Sequence, residues 1–223
     1  MLSRIAESLY WVGRYIERAE DTARILDVHF HLLLEQPEGS EQVSCENILH
    51  VMGAPEPEGD RAATTAYVND RLAFDLRSPT SIAGALSAAR QNASGAREVI
   101  PSEMWQALNA TYNQLPGRAG TATMVPHLFF QWVKERAALL NGLADSLMSR
   151  DEGWQFLLLG RSLERVDMTA RLLTARFAPG MESTGWVTTL KCCSAHEAYL
   201  RTYRRAVDAS LVAEFLLLDR LFP

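Results

Sequence analysis

VGRYIERAEDTARIL (residues 12–26) returns as LGRSLERVDMTARLL at residues 159–173, and this recurrence decides the reading of the fold. Glycine, two arginines, the Glu-Arg pair, Thr-Ala-Arg and leucine all recur in order. No low-complexity composition explains such a match, so the chain reads as an internal duplication. Its function is expected where the two copies meet.

Working outward, the first copy belongs to a longer seam. Ile5, Leu9, Val12, Ile16, Ala19, Ala23, Leu26, Phe30 and Leu33 follow at alternating spacings of four and three, the heptad pattern of a long helix in an antiparallel bundle. Ser3 reads as its N-cap, and Pro37 with Gly39 as its end. The copies lie 147 residues apart, a whole number of heptads, so Leu163, Val166, Ala170, Leu173 and Phe177 are expected to repeat the inward roles of Ile16, Ala19, Ala23, Leu26 and Phe30. The repeat helices are placed at about 3–35 and 151–177, the second opened by Asp151 and Glu152 at its positive end.

Between them the pattern predicts helices at 42–52, about 61–74, from a Ser78 N-cap and Pro79 to about Val99, at 102–114, and at 124–148. In the last of these Leu128, Val133, Leu139, Leu140, Leu143 and Leu147 are expected inward. GAPEPEG (53–59), LPGRAGTAT (115–123) and APGMESTG (178–185) read as loops. A helix over about 186–206 and a final run opened by Asp208 follow. Alternating β-branched runs and Asn-Gly turns do not appear. The expected fold is all-α: a single antiparallel helical bundle over 1–223 with an internal duplication.

At 100° per residue Arg14, Glu17, Asp21 and Arg24 form one polar stripe, with Arg161, Glu164, Met168 and Arg171 as counterparts. Arg18 and Arg165 instead sit in otherwise apolar rows. A partly buried guanidinium needs a carboxylate. Pairing of the copies would supply it reciprocally, Glu17 to Arg165 and Glu164 to Arg18. Two readings stay open. These residues are a structural clasp, with Glu20–Arg24 and Asp167–Arg171 as surface pairs. Or they form a site for an anionic or peptide-like ligand, with Arg14, Arg161, Arg24 and Arg171 as donors.

Bulk properties exclude several classes. A net charge of −5 argues against a general nucleic-acid binder. The 22 basic residues include only two lysines, Lys134 and Lys191; arginine suits bidentate carboxylate pairing, although genomic base composition accounts for the excess equally well. Three cysteines, two of them adjacent, make no disulfide framework. Arg4, Glu7 and Arg14 rule out a signal-peptide core, and nowhere do about 18 uncharged apolar residues run together to span a membrane. The expected location is cytoplasmic.

Other chemistry is weakly signalled. Carboxylate-bridged metal centres in bundles use Glu-x-x-His; here the spacings are Glu17-x-x-Glu20 and Glu164-x-x-Asp167, without histidine. Cys193-x-x-His196, with Cys45, lacks the paired motifs of zinc sites. His29 and His31 face apart. No metal or cofactor is therefore expected, and no nucleophile elbow or phosphate loop is present. Trp105, Trp132, Trp154 and Trp186 read as core.

The chain resembles the bacterial alpha-E domain family, all-helical proteins with a Glu-Arg motif. The resemblance rests on MLSRIAESLYWVGRYIERAEDTARILD (1–27), SPTSI (78–82), AARQNASGARE (88–98), SEMW (102–105), RDEGWQFLLLGRSLERVDMTARLL (150–173), CSAHEAYLRTYR (193–204) and VAEFLLLD (212–219). Members of that family are commonly encoded beside, or fused to, a circularly permuted ATP-grasp ligase and a transglutaminase-like cysteine protease. The resemblance thus implies a helical accessory or binding protein in peptide or amide-bond modification, with the ligase, the protease and a peptide ligand as partners. The alternative is an enzyme of amide or peptide chemistry sited between the repeats, with Glu17 or Glu164 as general base. Members usually continue into further C-terminal helices, so the apolar run Leu211–Leu218 is expected to be exposed or covered by another subunit. Self-association as a homo-oligomer is a third reading.

Overall fold

Helix α1 (Ser3–Glu35) runs through the middle of the molecule. A computed structural model describes residues 1–35, 41–59, 61–122, 125–176 and 185–222. The described elements are all helical: α2 (Glu41–Met52), α3 (Thr65–Asn69) continuing into a π turn (Asp70–Phe74), α4 (Ile82–Gly95), α5 (Ser102–Ala122), α6 (Pro126–Leu147), α7 (Glu152–Arg176), α8 (Trp186–Cys192), α9 (His196–Tyr203) and α10 (Ala209–Leu218). None of the described helices is long and apolar enough to cross a membrane.

The heptad seam of α1 is buried from Ile5 to Leu26, with Phe30 and Leu33 half-buried. Gly13, Glu17, Thr22, Ile25, Asp27 and His29 are buried as well, because α1 packs against α7, α4 and α6 together. A helix walled on several sides buries more than a single stripe. Its lower half joins Ala89, Ala93, Met104, Leu108, Leu140 and Leu157 in one core, and its upper half joins Leu49, Leu72, Leu86, Phe130 and Val133 in another. A third cluster, built on Tyr199, Leu190, Val212 and Phe215, holds α8, α9 and α10 together. On α10 Leu217 and Leu218 remain exposed.

α7 departs from the expected seam. Gly153, Leu157, Gly160, Glu164, Met168, Leu172 and Leu173 are buried, whereas Leu163 and Val166 are 43% and 63% exposed, and Ala170 is exposed. α7 meets the core chiefly through α1, so only the side centred on Gly160 and Glu164 turns inward. Phe177 lies outside the described residues, as do Pro37, Gly39 and most of 178–185.

Other boundaries shift for local reasons. LPGRAGTAT is not a loop up to Ala122: α5 continues through Pro116, anchored by buried Leu115, at the loss of one backbone hydrogen bond. The cap of α4 is Ser81, not Ser78. Its Oγ accepts from Gly84 N at 3.0 Å and donates to the Asp75 carbonyl at 2.6 Å, while Ser78–Ser81 closes a turn. α4 stops at Gly95, short of Val99. The helix expected over 61–74 begins at Thr65, capped by Thr64. The span 186–206 is broken at Ser194 and ended at Arg204, both at positive φ. On α6 the buried face is Phe129, Phe130, Trp132, Val133, Ala137, Leu140 and Ala144, leaving Leu128, Leu139 and Leu147 exposed and Leu143 half-buried; two small residues, not leucines, complete the stripe. Trp132 and Trp186 are core. Trp105 and Trp154 are half-buried, each under a guanidinium, Arg97 at 5.0 Å and Arg150 at 4.2 Å.

Candidate functional site: a reciprocal Glu-Arg clasp

α1 and α7 run parallel. The Met1 amino group meets Glu152 at 3.0 Å at one end, and Glu17 meets Arg165 at 2.6 Å further along. The other long helices packed on α1 run antiparallel to it: for α4, Arg18 is bonded to the Pro79 carbonyl and Gly95 lies against Ser8; for α6, Lys134 meets Asp27 while Leu140 and Ala144 pack with the Ile5–Ile16 half of α1. The repeat helices are therefore the parallel exception within the antiparallel arrangement expected.

Two glycines set the approach. A Cβ on Gly13 would lie 2.1 Å from the Leu157 carbonyl oxygen, and one on Gly160 would lie 1.9 Å from that of Tyr10. Backbones touch here, and only glycine permits it. One turn later on each helix comes the glutamate, now within reach of the opposite helix. Glu164 accepts from Arg14 Nε at 2.6 Å, and from Arg18 Nε at 2.5 Å and a second Arg18 nitrogen at 2.9 Å. Glu17 accepts from Arg165 Nε at 2.6 Å, with Arg161 Nε at 3.5 Å. Each glutamate thus meets the arginine after the opposite glycine and the arginine after the opposite glutamate. That is what the spacing G-R-x-x-E-R does: glycine for contact, arginine and glutamate for exchange. Both reciprocal pairs expected from the sequence are in place, and both glutamates are fully buried, at 0% and 1% exposure.

The remaining arginines of the stripe are also engaged internally. Arg24 bonds Glu20 and Ser194. Arg171 bonds Asp167 at 3.1 Å. Arg161 additionally approaches Asp145 at 3.8 Å.

The electrostatics of the two ends differ. Burial pushes the Glu17 carboxyl above its ordinary range; Arg165 opposes this and Glu20 adds to it. Its Oε2 has no hydrogen bond. Asp21 next to it is held well above the carboxylate range by burial and then by the Glu17 charge, and its Oδ2 is also unbonded. The Cys193 thiol, beside Asp21 and hydrogen-bonded to Thr169, is pushed up to about 12 by burial, as is Cys192. Thiols so shifted are not nucleophiles at neutral pH.

Other sequence candidates do not converge. Cys45 lies against His29 and Thr65, and Cys193 against Thr169 and Asp21, so Cys45, Cys193 and His196 form no metal-binding group among the described residues. A cavity of about 180 Å³ lies higher on α1, lined by Ile25, His29, Ser44, Ile48, Leu172 and Arg176, but neither clasp glutamate borders it. His29 there is driven down to about 4 by burial and is neutral. Sequence reading missed Asp27, buried and bonded to Lys134 and His127. The Asp27/His31 spacing of one helical turn was the available signal; nothing in the sequence pointed to His127.

The model of a family described as Alpha-E, "a predicted alpha-helical domain with a conserved ER motif", matches residues 1–223. The uncharacterized proteins Rv2567 of Mycobacterium tuberculosis (strain ATCC 25618 / H37Rv) and Mb2597 of Mycobacterium bovis are each 23% identical over 246 residues. Those matches cover 99% of this chain and 28% of the relatives, so the chain spans under a third of their length. No solved structure matches it. With the match running from first residue to last, and its two Glu-Arg pairs locking α1 to α7, the chain belongs to the Alpha-E family.

Proposed function

We propose that the protein is a non-catalytic helical accessory protein that docks onto an ATP-grasp-type ligase, and works with it and a transglutaminase-like protease in peptide or amide-bond modification. The observation that carries this reading is the outer face of α7. Phe156, Leu159, Leu163 and Val166 recur at spacings of three, four and three and are 37–63% exposed, which places four large apolar side chains along one flank of the helix, Phe156 and Leu159 bordering a groove against the start of α1. Contiguous exposed apolar surface of this kind marks contact with another protein. Two further facts support it. Arg14, Arg24, Arg161 and Arg171 are occupied by the protein's own groups, which favours the clasp over a ligand site built from them. The domain also matches part of much longer chains, which suits a module working beside others.

The test is co-expression of the ligase with the wild type and with Leu163→Glu/Val166→Glu, read by size-exclusion chromatography. Both positions are exposed, so the variant folds. A complex with the wild type that is lost in the variant supports docking through α7. No complex with either removes the accessory reading, and a concentration-dependent homo-oligomer replaces it with self-assembly.

A second reading has one observation behind it: Glu17, with a raised pKa and an unbonded oxygen, has the properties of a general base. It predicts turnover of an amide substrate by the isolated protein, abolished in Glu17→Gln while Glu164→Asp retains it.

A further inference from the structure

We propose that Asp27, His31 and His127 form a binding site for a divalent transition-metal ion of the zinc class. Asp27 and His31 stand one turn apart on α1, and His127 lies in the first turn of antiparallel α6. One ligand atom from each lies within 4.8 Å of the other two. His127 Nδ1 is 2.6 Å from Asp27 Oδ1 and His31 Nδ1 is 3.6 Å from the same oxygen; His31 Nδ1 is also bonded to the Asp27 carbonyl oxygen at 2.8 Å, so to ligate an ion His31 must give up that bond or turn Nε2 inward. The two imidazoles meet edge to face with centroids 5.0 Å apart. Three donors thus converge on one point, brought there by two helices and not by a flexible loop.

The donor set selects the ion. Two imidazoles and a carboxylate suit zinc and its neighbours, whereas magnesium and calcium take oxygen ligands. The surroundings fit the same role. The Asp27 side chain is 10% exposed, but those of His31 and His127 are 53% and 37% exposed, which leaves an entry path and room for a water as fourth ligand. Lys134 Nζ sits 2.6 Å from Asp27 Oδ2. It holds the carboxylate so that Oδ1 faces the histidines, as outer contacts of metal ligands do. Its positive charge also opposes a second cation, which weakens binding. The ion would take the place of the His127–Asp27 hydrogen bond.

The competing account is a hydrogen-bonded Asp27–Lys134–His127 network in which His31 is incidental. The two are separated by titrating chelator-treated protein with Zn²⁺ against a chromophoric zinc indicator. One equivalent is expected to bind, at least tenfold more weakly in both His31→Asn and His127→Asn, and with unchanged affinity in His50→Asn, a change at an exposed histidine on α2. Co²⁺ in place of Zn²⁺ should give visible ligand-field bands that vanish in both site variants. Melting curves confirm that these variants, changed at partly exposed positions, remain folded. Substoichiometric binding by the wild type, or weakening in neither or only one of the two variants, overturns the site.

Discussion

GRYIER at 13–18 and GRSLER at 160–165 make the same clasp from opposite sides, yet one glutamate is satisfied and the other is not. Glu164 holds two arginines, and both are backed by aromatic rings: Arg14 over Trp11 at 5.6 Å and Arg18 over Tyr15 at 5.5 Å. The positions equivalent to Trp11 and Tyr15 on α7 are Leu158 and Ser162, so Arg161 and Arg165 lack that support. Glu17 shares Arg161 with Asp145 and leaves one oxygen without a hydrogen bond. Beside it stands Asp21, whose counterpart beside Glu164 is Met168. The same motif therefore yields a closed ion cluster where its neighbours are aromatic and apolar, and an incompletely bonded one where a further carboxylate, Asp21, stands next to it. Motif identity sets who pairs with whom; the flanking residues set how well.

The largest effect should come from the satisfied end. Glu164→Gln leaves Arg14 and Arg18 without their counter-charge and should cost about 3–5 kcal/mol, the penalty of breaking a buried pair. Glu17→Gln should cost only about 1–3 kcal/mol, since one Glu17 oxygen already lacks a hydrogen bond in the native protein. Urea denaturation at neutral pH measures both. Equal costs would break the comparison.

A smaller effect tests the crossing, where the two ends are alike. In an ordinary helix Gly→Ala stabilises by up to about 1 kcal/mol. At Gly13 and Gly160 the added methyl meets a carbonyl oxygen at about 2 Å, so Gly13→Ala and Gly160→Ala should each destabilise by about 1–3 kcal/mol through overpacking. The sign is diagnostic: a gain in melting temperature for either would mean the helices have room to part.

Much of this was legible in the sequence. The α1 seam, the reciprocal Glu-Arg pairs and the partial burial of Arg18 and Arg165 follow from spacing and the cost of an unpaired charge. The inward face of α7 differs from the expected one because heptad register transfers from α1 only if both helices have the same neighbours. α1 is walled by α4, α6 and α7, whereas α7 is walled chiefly by α1, so Leu163 and Val166 face out where Ile16 and Ala19 face in. The role of the two glycines was present as a recurrence but needed the crossing to be read. His127 could not be found at all, because its approach to Asp27 is set by how α6 docks and by nothing local to either.

The smallest expected effect is also the one that isolates the cause of the asymmetry. Asp21→Met gives the first repeat the residue that the second already carries at that place. In the fold burial and Glu17 hold the Asp21 carboxyl well above its unfolded value, so the folded state retains a proton that the unfolded state has lost. Stability from this group is fully present below about pH 4, the unfolded carboxylate range, and is lost as pH rises through the folded value. Replacing it by an apolar side chain of suitable size should therefore stabilise the protein by about 1–2 kcal/mol at neutral pH. The gain should shrink toward zero as the pH approaches 4. Thermal melts of the two proteins across that range give the difference directly. A variant less stable than the wild type at pH 7 would show that Asp21 is a charged, paired member of the clasp, and the contrast between the two ends would then have to come from the aromatic rings alone.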